Sequence, residues 1–157
     1  MPSTPEISVE IQKGVDLFME GCFNSLKPFV KVSLEPLGPS FSTAPGEKYL
    51  PEWYKVIQIK QSLHNFETLK IAVAFKEDEE KEVELGSCGF RLVDLEDQRI
   101  REGWYELEMP KKKRNFFPQL QLRIQLVHDE KALYTLLLVR SNKLTERVQE
   151  LLASNEI

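Results

Sequence analysis

Apolar residues fall on every second position in stretch after stretch of this chain. Ile7, Val9 and Ile11 alternate with Ser8, Glu10 and Gln12. Val30, Val32 and Leu34 alternate with Lys31 and Ser33, and Leu69, Ile71, Val73 and Phe75 alternate with Lys70, Ala72 and Ala74. Later, Leu120, Leu122, Ile124 and Leu126 alternate with Gln119, Gln121, Arg123 and Gln125. Wound into a helix, these residues would scatter around the axis. In a strand they line one face and leave the polar set to water. Trp53 to Lys60 repeats the pattern more loosely, with Trp53, Ile57 and Ile59 inward. Strands of this kind need a second layer over their apolar faces.

The most irregular of the apolar stretches is Leu85-Gly86-Ser87-Cys88-Gly89-Phe90-Arg91-Leu92-Val93-Asp94-Leu95. Its two glycines accept bulged or twisted backbone where a Cβ would clash. Glu96-Asp97-Gln98-Arg99 reads as a turn, and Gly103-Trp104-Tyr105-Glu106-Leu107 as a short strand running to Pro110. A loop is expected from Gly14 to Lys27, and a charged one from Lys76 to Glu82. Pro36, Gly38, Pro39, Pro45 and Gly46 break up the connection before Trp53, leaving room for one short strand near Phe41. Counting that one, about eight strands appear at the spacing of an antiparallel sandwich. Ile71, Val73, Leu122 and Ile124 are assigned to its single core.

The tail changes period. Leu137, Leu144 and Leu151 are seven apart, with Leu133, Val148 and Leu152 close to them on a helical wheel. This predicts an amphipathic helix from about Lys143 to Ala153, capped by Ser141 or Asn142. The apolar run 133–139 fits a helix and a strand alike. The chain thus divides into a disordered lead (1–5), an eight-stranded antiparallel β-sandwich (6–128) and a helical extension (129–157), an all-β fold with a short C-terminal α-helix.

Composition removes several functions. A chain of 157 residues holds one well-buried domain. The net charge of −4 argues against a nucleic-acid partner, because phosphate binding rests on a basic surface. The apolar stretch from Ala132 to Val139 is too short to span a membrane, and Met1 to Glu6 has no signal-peptide character. Cys22 and Cys88 imply no disulfide framework and point to a reducing, cytoplasmic setting. His64 and His128 lie on different elements with no recognisable Ser, Cys or Asp order around them. Zinc spacing, phosphate-cradling glycine loops and paired catalytic carboxylates are absent. No catalytic residue, metal ligand or cofactor is expected.

In this order, Ile7-Ser8-Val9-Glu10-Ile11 with Gly14-Val15-Asp16-Leu17, Lys27-Pro28-Phe29-Val30-Lys31-Val32, Leu50-Pro51-Glu52-Trp53, Leu69-Lys70-Ile71-Ala72-Val73, and Leu85-Gly86 entering Gly103-Trp104-Tyr105-Glu106-Leu107 resemble the C2 domain family over about residues 6–128. The second piece stands where the family has Asp-Pro-Tyr-Val-Lys-Val, and the third where it has Asn-Pro-x-Trp. The resemblance implies an eight-stranded C2-like sandwich in which the last strand completes a sheet. Calcium-binding members use about five loop carboxylates, since Ca²⁺ takes six to eight oxygens. Those positions fall on Gly21, Lys27, Lys76, Asp78 and Val83, of which only Asp78 could ligate. The resemblance therefore implies a calcium-independent member. Glu77-Asp78-Glu79-Glu80 reads as a solvated loop.

By strand parity, the loop 14–27, the loop before Trp53, the loop 76–82 and the hairpin 111–117 leave one end of the sandwich. The first carries Phe18, Met19 and Phe23, and the last carries Lys111, Lys112, Lys113 and Arg114 followed by Phe116 and Phe117. Basic residues beside aromatics suit an anionic phospholipid surface. The simpler reading folds the phenylalanines back onto the core and leaves the lysines solvated. The acidic loop at the same end opposes lipid and suits a protein partner with a mixed surface. Leu137, Leu144, Val148 and Leu151 offer a second contact, either capping the sandwich or self-associating with another chain. The expected function is that of a non-catalytic docking module, a scaffold or adaptor for a protein partner, with cytoskeletal or ciliary assemblies as the setting that family analogy offers. The alternative is calcium-independent targeting to anionic membranes, peripheral to the bilayer.

Overall fold

Each alternating stretch forms the strand that its period predicts. The computed structural model describes residues 4–17, 27–46, 51–76, 80–110, 117–128 and 141–152. Within them lie strands β1 (Glu6–Val15), β2 (Phe29–Glu35), β3 (Ser40–Ser42), β4 (Glu52–Lys60), β5 (Thr68–Lys76), β6 (Glu82–Arg91), β7 (Arg101–Glu106) and β8 (Gln119–Val127). A single 3-10 turn, Leu92–Leu95, follows β6. A helix, α1, covers 141–152.

The strands form two four-stranded sheets, ordered β4-β1-β8-β7 and β3-β2-β5-β6. Every pairing is antiparallel. Register places the inward residues in rows: Val9 lies between Ile57 and Ile124, and Val32 opposite Ile71. Ile71, Val73, Leu122 and Ile124 are each completely buried, in one core that also takes Ile7, Phe75 and Leu126. Each such side chain contributes about 1.5–3 kcal/mol through its removal from water. Leu92 and Leu95 of the 3-10 turn are buried as well and close the far end.

Because neighbours alternate in direction, the turns β1–β2, β3–β4, β5–β6 and β7–β8 share one end, where Val15 pairs with Gln119 and Lys76 with Glu82. The opposite end holds the other three turns together with the start of β1 and the end of β8, where Glu6 pairs with Val127.

Four expectations are corrected. First, β1 does not end before Gly14; Gly14 and Val15 stay in the ladder beside Leu120 and Gln119, after a bulge between Ile11 and Lys13. Second, β7 stops at Glu106, short of Pro110, because the chain turns to hydrogen-bond β6: Ser87 and Glu108 exchange N–H···O bonds of 2.9 and 2.8 Å. Third, the small outer face of β5 is not open. Ala72 and Ala74 are buried, Ala74 beside the buried Phe29 on β2, and two ion pairs cross the same face, Lys31–Glu82 at 2.8 Å and Lys70–Glu84 at 3.0 Å. Fourth, α1 is already helical at 141, so Ser141 and Asn142 lie inside the helix and not ahead of it. The Ser141 carbonyl accepts the Thr145 hydroxyl at 3.0 Å.

Candidate functional site

The end that gathers four turns is built on a pinned frame. Thr43 closes β3 back onto β2 twice: its N–H donates to the Val30 carbonyl at 2.9 Å, and its Oγ1 accepts the Val30 N–H at 3.0 Å. Gly46 N–H donates to the Pro28 carbonyl at 2.7 Å, and Trp53 Nε1–H to the Ala44 carbonyl at 3.0 Å. Gly14 N–H reaches the Pro51 carbonyl at 3.0 Å. Leu17 is buried beneath this frame. Backbone bonds of this kind hold the stems of the turns whatever the loop tips do.

Beside the frame lies an open cavity of about 290 Å³, lined by Lys27, Phe29, Ser42, Thr43, Lys76 and Glu82. Two of the five positions to which the resemblance assigns calcium ligation, Lys27 and Lys76, line it together. Neither ammonium has an ion-pair partner among the described residues. The one carboxylate among the described lining residues, Glu82, is engaged by Lys31. A divalent cation placed here would face two ammoniums that have no ion-pair partner among the described residues. Val83 lies in β6, while Gly21 and Asp78 lie outside the described residues. Among the described residues no three His, Cys, Asp or Glu side chains converge on a point that could hold a metal.

Phe18, Met19, Phe23, Lys111, Lys112, Lys113, Arg114, Phe116 and Leu137 lie outside the described residues. The β1–β2 and β7–β8 turns, to which all of these but Leu137 belong, have their stems at this same end. Phe117, which borders the basic hairpin, is 54% exposed and is not folded back onto the core.

The helix also departs from the commoner expectation. Leu144, Val148, Leu151 and Leu152 fall on one face, and each is more than half exposed. These four side chains do not cap an edge of the sandwich. A polar contact links α1 to the sandwich: Lys143 Nζ donates to the His64 carbonyl at 2.9 Å.

Three further features were invisible or passed over in the sequence. Ser62 and His64 hydrogen-bond to each other in the exposed turn after β4. In the β6–β7 turn, Asp97 accepts the Arg99 N–H at 2.9 Å and the Arg101 guanidinium at 2.9 Å, and these bonds hold its carboxyl below the usual range. Gln98, at φ 61°, then takes His128 N–H on its side chain (3.2 Å) and the Gln125 amide on its carbonyl (3.0 Å), which ties the turn to the end of β8. With the folded pKa lowered, the stabilisation Asp97 gives is present above its unfolded value and is lost as acid protonates it.

Cys88 lies in β6, and burial pushes its thiol up to about 12. The thiolate, not the thiol, reacts. Native protein in mildly alkaline buffer is therefore expected to leave Cys88 unlabelled by Ellman's reagent and to release it only on unfolding. Rapid labelling of Cys88 in the folded protein, read by peptide mapping, would contradict its placement.

A family model described as "C2 domain" matches residues 6–107. No curated protein matches the chain by sequence. Among solved structures, a C2 domain of plant Extended Synaptotagmin 1 superimposes with a TM-score of 0.63 at 19% identity, over 82% of this chain and 98% of that one. A structure of the two C2 domains of Extended Synaptotagmin 2 gives 0.61 at 19% identity, over 82% of this chain and 42% of that one. Human GIVD cytosolic phospholipase A2 gives 0.61 at 10% identity, over 82% of this chain and 18% of that one.

Proposed function

The chain belongs to the C2 domain family, and from that premise we propose that it is a calcium-independent docking module that binds a protein partner through its C-terminal helix. Domains of this family bind proteins or phospholipid membranes, generally without catalysis. No helix among the described residues is long and apolar enough to cross a membrane. The observation that carries the protein reading is the exposed stripe on α1, with Leu144 at 64% and Leu152 at 60%. Most helical stability in proteins comes from covering an apolar face. Docking to a protein groove covers it, in the manner of amphipathic helices laid into hydrophobic clefts.

Calcium independence rests on Lys27 and Lys76 at the loop-end cavity. A ligand that binds only the folded state raises its stability with concentration. Thermal melts in millimolar calcium and in chelator are expected to superimpose, and a rise of several degrees with calcium would overturn this part of the reading.

The docking reading is tested by replacing Leu144, Val148 and Leu152 with glutamine. The sandwich should melt as before, and partners captured by the wild type should be lost at low and high salt alike, because apolar burial is not screened. Wild-type protein should stay in the supernatant with vesicles of phosphatidylcholine and phosphatidylserine at physiological salt. Clear co-sedimentation would replace protein docking with membrane targeting. A wild-type dimer that becomes monomeric in the triple variant would replace the partner with a second copy of the chain.

A further inference from the structure

At the opposite end of the sandwich, one leucine stands where the fold gains nothing from it. Leu37, in the β2–β3 turn, is fully exposed and takes a φ of 55°. That left-handed region favours glycine or asparagine, and a leucine there strains the backbone. The turn is nonetheless fixed. Gly38 N–H donates to the Leu34 carbonyl at 2.9 Å, and Leu34 N–H to the Pro39 carbonyl at 3.2 Å. Two more bonds tie it sideways: Glu67 N–H donates to the Glu35 carbonyl at 2.8 Å, and Leu92 N–H to the Glu67 carbonyl at 2.9 Å. The β2–β3 turn, the β4–β5 turn and the 3-10 turn thus stand in a row, and Val93, next to Leu92, is 45% exposed. The same β4–β5 turn receives α1, through Lys143 on the His64 carbonyl. An apolar knob on a rigid turn and an apolar stripe on a helix therefore share one end of the molecule.

We propose that Leu37 and the α1 stripe dock together on one protein partner, whose surface offers Leu37 an apolar pocket rimmed by lysine or arginine. The inference rests on the helix-docking reading and adds a second contact to it. Charge decides the chemistry of the rim. Glu35 and Glu67 are both exposed, and neither has an ion-pair partner among the described residues. Arg91, which leads into the 3-10 turn, is engaged by Asp94 at 3.4 Å. A central apolar anchor supplies affinity, while charges around it select the partner. Two unopposed carboxylates repel an anionic membrane. In a two-fold dimer through this face they would meet their own copies. Size fits as well. The helix 141–152 runs about 18 Å at 1.5 Å per residue, and an ordinary interface of about 800 Å² on each partner covers such a helix together with a turn beside it.

The probe is the photo-cross-linker p-benzoylphenylalanine, placed in full-length protein at position 37 or at position 144 and irradiated in cell extract. The same polypeptide should be caught from both positions, and the peptide joined to position 37 should contain lysine or arginine. Introducing Leu37→Asn into the position-144 protein should cut its yield about tenfold, and Glu35→Lys/Glu67→Lys should cut the yield from position 37. Asparagine tolerates the left-handed backbone, so Leu37→Asn is expected to melt no lower than the wild type, which separates lost docking from lost folding. A catch from position 144 alone, or different polypeptides from the two positions, would overturn the shared surface and leave helix docking standing. An undiminished yield with Leu37→Asn, or a second copy of the chain as the product at position 37, would do the same. A catch from position 37 alone, or none from either position, would overturn helix docking and the shared surface with it.

Discussion

Replacing Leu122 or Ile71 with alanine is expected to lower the unfolding free energy by about 2–5 kcal/mol. Both side chains are fully buried, on β8 and β5, one in each sheet. Leu122 pairs with Ile11 across the ladder and Ile71 with Val32, so truncation removes packing from two strands at once and leaves a cavity that pinned neighbours cannot close. A domain of this size holds on the order of 5–15 kcal/mol in total, so either change takes a large share. Urea unfolding reads it as a lower midpoint with an unchanged slope. Gln121→Ala, one residue away on the outer face, should stay within about 0.5 kcal/mol. Wild-type stability in Leu122→Ala, or a loss in Gln121→Ala to match it, would mean that the faces of β8 are reversed.

The inward faces were legible because a period of two survives averaging over any partner. The alternation of Leu69 to Phe75 and of Leu120 to Leu126 states which side is buried before the neighbours are known. The two-sheet architecture and the shared end of four turns followed from strand number and parity. The outer face of β5 was not legible. Ala72 and Ala74 look like solvent positions in sequence, and the side chains beside them on this face, Phe29 and Lys31, come from a strand some forty residues earlier in the chain. Pair geometry across sheets leaves no trace in local pattern. At the candidate site the reverse holds: Lys27 and Lys76 could be read as hostile to a cation, but not as facing one cavity with Thr43, because a strand, a connection and a hairpin stem supply them separately. The helix was legible as a helix, and its period gave the stripe, yet no period says whether a stripe faces inward or out. Leu144 and Leu152 settled that only in three dimensions.

Gly86→Ala and Gly89→Ala are expected to change stability in opposite directions, although the residues sit three apart in one strand and look alike in sequence. Neither has a positive φ, so backbone strain does not separate them and the space around each Cβ decides. A Cβ on Gly86 would lie 2.8 Å from the Glu108 carbonyl oxygen and 3.2 Å from Leu107 Cβ. That carbonyl is the acceptor for Ser87 N–H, one half of the bridge that joins β6 to the chain beyond β7. The clash is therefore with backbone already fixed by a reciprocal pair of hydrogen bonds, and relief requires opening the stitch between the two sheets. Overpacking of this kind costs about 1–3 kcal/mol. Gly89 pairs with Lys70, and its added Cβ would meet only Thr68 Cγ2 at 3.4 Å, an ordinary contact. There the methyl restricts the unfolded chain and gains about 0.4–1 kcal/mol. Amide exchange distinguishes the causes: Ser87 and Glu108 should lose protection in Gly86→Ala and keep it in Gly89→Ala. Equal effects of the two substitutions on the melting midpoint would show that the Ser87–Glu108 bridge does not constrain β6.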